Sequence, residues 1–237
     1  MFSFISFAIF IVAFIYSVQA YSFSIGLFND VDIKISGNDF INSQHIENTI
    51  YPHLSSSLLS IKLTDIQKKL EFIDYIETVQ VSRILPQTLM IHIVERLPIL
   101  LINMEDKITF MDKNGILLQA NDESIATFPV PVLSILDNNG SMGKYAEDIT
   151  QFFQFIFDEY PLFYNNLSEI KIHADLWEFY SDNNTKIYAH ASYLTYQINI
   201  LKDFENTVYP KRSLQDYHYI DLRIKDQVIV KEKYRKG

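Results

Sequence analysis

Six histidines stand at His45, His53, His92, His173, His190 and His218. Imidazole is both a metal ligand and a general base near neutral pH. Metal sites that use it draw on close pairs such as H-E-x-x-H, and no such spacing occurs here. The sequence has no cysteine, which removes thiolate nucleophiles, zinc–thiolate centres and disulfides. Asp175 and Glu178 flank the single tryptophan, Trp177. Paired carboxylates can do general acid–base work, but no supporting motif accompanies these two, and the pattern is common on ordinary surfaces. There is no G-x-S-x-G elbow and no phosphate-binding loop, and the six glycines are scattered. The chain is therefore read as non-enzymatic, with no cofactor, no metal and no small-molecule substrate.

The chemistry that remains is that of the main chain. Gln227, Val228, Ile229, Val230 and Lys231 alternate as a strand near the end of the sequence. If this strand forms a sheet edge, its N–H and C=O groups can pair with an incoming strand. The alternative is an edge protected by its own lysines, Lys231 and Lys233.

Composition narrows the classes further. The 237 residues are 48% hydrophobic and 21% charged, which suits folded domains and argues against bulk disorder. The net charge is -9, with lysine and arginine dispersed. Nucleic-acid binding needs a basic face, and none is visible. Residues Met1 to Tyr21 carry no charged side chain. Such a stretch matches a bilayer span and exceeds a typical signal-peptide core, so residues 1–21 are expected to be a transmembrane anchor. A signal cleaved after Ala20, behind Val18 and Gln19, is the alternative. Both place the bulk of the chain outside the cytoplasm.

A linker at 22–29 precedes the first folded unit, expected over 30–97. Asp30 to Ser36 alternates, placing Val31, Ile33 and Ile35 on one strand face, and Gly37-Asn38 forms a turn. Asn42 or Ser43 caps a short helix carrying Ile46 and Ile50 inward, ending near Pro52. Thr64 and Gln67 have capping-box spacing for a second helix, whose stripe is Leu63, Ile66, Leu70 and Ile73. Strands follow at Ile76–Ile84, with Val79 and Val81 on one face, and Thr88–Glu95, with Leu89, Ile91 and Ile93. Pro86 sits in the loop between them. The order β-α-α-β-β predicts a three-stranded sheet with helices on one face.

A second unit, mixed and sheet-dominated, is expected over 98–232, with a tail at 233–237. Strands are expected at Ile99–Ile102, Lys107–Met111 and Gly115–Leu118, with Asn114-Gly115 as a hairpin turn. Phe128 to Pro131 breaks regular structure, and Asn138 to Gly140 is a loop. Ile149, Phe152, Phe153, Ile156 and Phe157 mark an amphipathic helix. Strands come at Ser168–Ala174, Leu176–Ser181 and Lys186–His190, then a helix with Leu194, Ile198, Leu201 and Val208 inward. Tyr217–Ile224 and Gln227–Lys231 close the chain around Lys225-Asp226. The fold class is α+β.

The ordered set of these residues resembles the FtsQ/DivIB family of bacterial cell-division proteins. The resemblance runs through Ile35, Gly37, Asn38, Leu58 to Ile61, Ile66, Lys69, Leu70, Val79, Val81 to Arg83, Leu85, Pro86, Thr88, Leu89, Ile91, Ile93, Glu95, Arg96 and Pro98. It continues in Phe110, Asp112 and Gly115, then in Tyr219 to Arg223. The resemblance implies a membrane anchor, an extracytoplasmic POTRA domain and a β domain. It also implies a scaffold in the cytoplasmic membrane at the division septum, binding FtsB- and FtsL-like bitopic proteins. Such a scaffold helps control the septal peptidoglycan synthase pair FtsW and FtsI, and its POTRA unit contacts division proteins including FtsK. By resemblance, FtsB would dock at Ile224, Asp226, Gln227, Val228, Ile229, Val230, Lys231 and Glu232. Familiar members often have glycine and aromatic residues where this chain has Asp226, Gln227, Lys231 and Glu232, so side-chain contacts there would differ. Arg83, Glu95 and Arg96 mark either a POTRA contact surface or an exposed cross-strand pair, with the structural role favoured. An export or outer-membrane assembly factor and a secreted hydrolase are the rival readings.

Overall fold

A computed structural model describes residues 2–24, 26, 28–55, 57–104, 107–136 and 142–233. The chain separates into two compact units, 1–96 and 97–237.

The first unit opens with helix α1, Phe2–Ser24, three residues beyond the stretch expected as an anchor. Its side chains between Ile5 and Tyr21 are exposed. Among the described residues no helix is long and apolar enough to cross a membrane. The module that follows has strand β1 (Asp32–Ser36), helices α2 (Ser43–Ile50) and α3 (Leu63–Leu70), and strands β2 (Ile76–Ile84) and β3 (Thr88–Glu95). The sheet order is β1-β3-β2, with β1 parallel and β2 antiparallel to the central β3. Leu89, Ile91 and Ile93 alternate on one face of β3 and are buried with Val79, Ile46, Ile50, Ile66 and Leu70. Period-two strands and helix stripes thus meet in one core.

Asn42 caps α2 by accepting from the Gln44 N–H at 2.8 Å. Gly37 turns the chain at φ +79°, where a Cβ would meet the Ile93 carbonyl oxygen at 2.0 Å. The expected capping box on α3 does not form. The helix starts from Lys62 with no side-chain cap, so Thr64 lies inside it. Leu63 packs on the core and the helix starts two residues before the expected point, while Gln67 donates to Glu71 at 2.9 Å.

The second unit is built on a nine-stranded mixed sheet among the described residues. Its elements are β4 (Pro98–Met104), β5 (Lys107–Asp112), β6 (Leu117–Gln119), α4 (Asp122–Thr127), β7 (Val132–Ile135), α5 (Met142–Glu159), α6 (Pro161–Asn165), β8 (Leu167–His173), β9 (Leu176–Ser181), β10 (Lys186–His190), α7 (Leu194–Val208), β11 (Tyr217–Asp221) and β12 (Ile229–Glu232). The sheet order is β12-β11-β10-β9-β8-β7-β4-β5-β6. Pairs β4–β7, β7–β8 and β10–β11 are parallel, and the others antiparallel. Ile149, Phe152, Phe153 and Ile156 of α5 and Ile198 and Leu201 of α7 bury against Ile170, Ile172, Trp177, Phe179 and Ile187 of the sheet. Phe152 meets Trp177 edge-on with ring centroids 5.4 Å apart, a favoured aromatic geometry.

Several expectations change in this unit. The strand expected from Gly115 begins at Leu117. Gly115 itself turns at φ +80°, and the Asp112 side chain accepts from Asn114 N–H at 2.9 Å and Ile116 N–H at 2.7 Å. α4, β7 and α6 were not foreseen. α4 is only six residues long and is held by reciprocal Asn121–Ser124 capping bonds, and β7 follows the Pro129–Pro131 break directly. Asn138 to Gly140, expected as a loop, lies outside the described residues.

Candidate partner-binding edge

β12 stands at the end of the sheet order and, among the described residues, pairs with β11 alone. Two hydrogen bonds fix which of its backbone groups face β11. Leu222 N–H donates to the Tyr188 carbonyl at 2.9 Å, so Leu222 and, two residues back, Ile220 direct their groups toward β10. Tyr219 and Asp221 therefore direct theirs toward β12, where they face Lys231 and Ile229. At the other end, Lys233 N–H donates to the Asp216 carbonyl at 2.8 Å, which by alternation also turns Lys231 and Ile229 inward. Val230 and Glu232 are left with N–H and C=O on the open side.

The side chains follow the other alternation. Val228 and Val230 pack against the core, while Ile229, Lys231 and Glu232 are exposed. The expected span of the closing strands contracts at both of its inner ends. β11 stops at Asp221, where Arg223 closes a fork on the carboxylate, Nε to Oδ1 at 2.8 Å and NH2 to Oδ2 at 2.6 Å. The Arg223 guanidinium also lies 5.3 Å from the Tyr188 ring centroid. Its hydrogen bonds hold the Asp221 carboxyl below the ordinary carboxylate range. Ile224, Asp226, Gln227 and Val228 therefore belong to the bend before β12 rather than to a strand. Gln227 N–H donates to the Ile224 carbonyl at 3.2 Å, and Asp226 sits at φ +58°. Asp226 accepts a hydrogen bond from the Tyr196 hydroxyl of α7, which raises the tyrosine's pKa.

Lys233 does not guard the edge as its position suggested. Its ammonium folds back onto Asn183 O at 2.6 Å, Gln215 O at 2.9 Å and Thr185 Oγ1 at 3.2 Å. Lys231 remains exposed on the strand, and Glu232 reaches Arg212 at 3.3 Å.

The three residues read as a possible POTRA surface do not converge. Arg83 faces Leu89 and Glu95 faces Ile76, at opposite ends of the β2–β3 hairpin, so they form no cross-strand pair. Arg83 donates to the Leu58 carbonyl at 3.0 Å and to the Ile61 carbonyl. Glu95 accepts from Phe40 N–H at 2.9 Å and Ile41 N–H at 2.7 Å. Arg96 reaches the carbonyls of Asp74 at 3.3 Å and Ile76 at 3.4 Å. Arg83 and Glu95 satisfy backbone groups outside the strands, and Arg96 those of Asp74 in the turn and Ile76 at the start of β2. Among the described residues, no three His, Cys, Asp or Glu side chains group to hold a metal ion.

Residues 28–96 match the model of the POTRA domain, FtsQ-type. Two curated cell division proteins FtsQ align with the chain. That of Koribacter versatilis is 22% identical over 107 residues, covering 45% of this chain and 31% of its own length. That of Novosphingobium aromaticivorans is 26% identical over 119 residues, covering 50% and 36%. Residues 28–96 thus form a POTRA domain of the FtsQ type. A solved relative is the major extracytoplasmic domain of DivIB from Geobacillus stearothermophilus, at 15% identity and TM-score 0.32, covering 49% of this chain and 90% of that one. The aligned stretches span about a third of the curated FtsQ relatives' length.

The POTRA match and the first compact unit both end at Arg96. Tyr196 and Arg212 escaped the sequence reading, as did the inward fold of Lys233. Their partners lie 30, 20 and 50 positions away, beyond any local periodicity, so no spacing announces them.

Proposed function

We propose that this chain is a non-enzymatic scaffold of bacterial cell division, whose β12 edge accepts a strand from an FtsB-like partner. The single observation that carries this reading is the open side of β12, where Val230 and Glu232 present paired main-chain donors and acceptors. A strand added there gains affinity from backbone bonds and specificity from alternate side chains. The partner set implied for such a scaffold is FtsB- and FtsL-like bitopic proteins, then FtsW and FtsI, with FtsK at the POTRA module. Its action is control of septal peptidoglycan synthesis.

The proposed location is the cytoplasmic membrane at the septum, with α1 as a single-pass anchor and the remainder extracytoplasmic. Support comes from α1 itself, 23 residues without a charged side chain. Its exposed apolar residues, including Phe7, Phe10, Val12 and Ile15, lie on every side. A helix apolar all round suits a bilayer or a protein core.

The test is titration of the purified protein with a synthetic FtsB-like strand peptide from the same organism. Saturable binding lost on altering Val230 supports the edge as the site. Binding indifferent to β12, with folding intact, overturns it.

A further inference from the structure

The POTRA module has an apolar end, and the covalent path from α1 leads directly to it. Leu85 at the tip of the β2–β3 hairpin is 62% exposed, Ile84 beside it 49%, and Leu59 44%. They share one end of the module because Arg83 ties the hairpin to the 3-10 turn at Leu58–Ser60, donating to the Leu58 carbonyl at 3.0 Å. The chain arriving from α1 is fastened at the same place. The Phe28 carbonyl accepts from Leu58 N–H at 2.8 Å, Asn29 bridges to Ser57, and Asp32 N–H donates to the Gln87 carbonyl at 2.9 Å. From Ser24, the last residue of α1, to Phe28 is four residues, at most about 14 Å of extended chain. Glu95 and Ile76 pair at the opposite end of the hairpin, and Arg96 follows there.

We infer that this end of the module rests on the lipid bilayer, with Leu85, Ile84 and Leu59 seated in its interfacial layer. The inference rests on α1 being the membrane anchor proposed above. With α1 in the bilayer, a tether this short holds the hairpin tip within reach of the surface. Aliphatic side chains brought there leave water for the headgroup–acyl boundary, the region where apolar faces of surface-bound elements settle about 5–10 Å deep. Beside the fastening points in the sequence stand Asp30, Asp32, Lys62 and Arg83, two acidic and two basic. Arg83 is committed to backbone carbonyls. The attraction is therefore apolar, and it should persist in zwitterionic lipid and at high salt, where polybasic contacts fade.

The absence of native cysteine allows one label per variant in the full chain. Leu85→Cys, Phe72→Cys and Val12→Cys are each labelled with an environment-sensitive fluorophore and reconstituted in zwitterionic bilayers carrying a spin-labelled quencher lipid. Phe72 is 81% exposed and lies in the turn after α3, on the approach to Ile76 at the far end of the hairpin. It serves as the control for label partitioning. Val12 reports the anchor. The inference expects a blue shift and quenching at positions 85 and 12, no quenching at 72, and no loss at position 85 when salt is raised. Quenching at 12 without quenching at 85 overturns the bilayer contact while leaving the anchor standing. Absence of quenching at 12 refutes the anchor and, with 85 also unquenched, the contact. Equal quenching at 72 and 85 marks a label artefact and overturns the assignment. Shielding of position 85 only on adding other division proteins overturns it in favour of a protein partner.

Discussion

Replacing Val230 by proline separates the two sides of β12. Because Val230 directs its N–H away from β11, the substitution removes a donor from the open edge and spares the β11 ladder, which is held by Ile229 and Lys231. Proline is tolerated on edge strands for this reason. An added strand pairing with Val230 and Glu232 makes up to about four main-chain bonds. Deleting one donor leaves the partner's carbonyl facing a proline ring, unpaired, at a cost of about 1–3 kcal/mol. The peptide's Kd should therefore rise about 5- to 150-fold. Val230 also packs on the core, so Val230→Ala, which keeps the N–H, measures the side-chain share. Lys231→Pro strikes the inner ladder, and should lower the melting temperature by about 2–4 °C for each kcal/mol lost. Fluorescence anisotropy of a labelled FtsB-like peptide and thermal melts of the same preparations provide both readouts. If Val230→Pro weakens binding no more than Val230→Ala, or melts as low as Lys231→Pro, the assignment of the open side is wrong.

Other predictions concern the scaffold around that edge. Gly37→Ala should destabilise the POTRA module by about 3 kcal/mol or more, since it combines a left-handed backbone with a Cβ 2.0 Å from the Ile93 oxygen; a urea titration followed by circular dichroism measures it. Asp112→Ala orphans the two N–H groups of the β5–β6 turn and should cost about 2–3 kcal/mol, while Asp112→Asn retains an acceptor and should cost less. Glu95→Ala should speed hydrogen exchange at the Phe40 and Ile41 amides, which its carboxylate now accepts, without changing exchange in β12. Arg223→Gln should flatten the acid limb of stability. Asp221 is held below its unfolded value of about 3.9, so its contribution is full above about pH 4 and is lost as the pH falls through the lowered folded value. Thermal melts of the two proteins from pH 6 down to pH 3 should converge as that contribution disappears.

The POTRA module was almost fully legible because its signals are local. β2 and β3 begin and end where alternation places them, and Ile46, Ile50, Ile66 and Leu70 bury on helical spacing. Asn42 acts through Gln44, two residues away. The Thr64 cap failed because packing of Leu63 decided where the helix begins. In the second unit, β9, β10 and the apolar stripes of α5 and α7 were equally clear. β7 was not, since four residues after a proline break give no period to read. The candidate edge was legible as a strand, but its openness was not. That depends on sheet order, which the parallel β10–β11 pairing sets through the α7 crossover. Arg83, Glu95 and Lys233 looked like surface charge because the carbonyls and amides they serve carry no sequence signature.

The placement of β12 also has a consequence in time. Its one ladder partner among the described residues, β11, docks beside β10 after the chain has passed through α7, a non-local closure slower than hairpin formation. The open edge of β12 is thus completed late in folding. A half-assembled protein has no finished rim to offer, so capture of a partner would double as a checkpoint for a completed sheet.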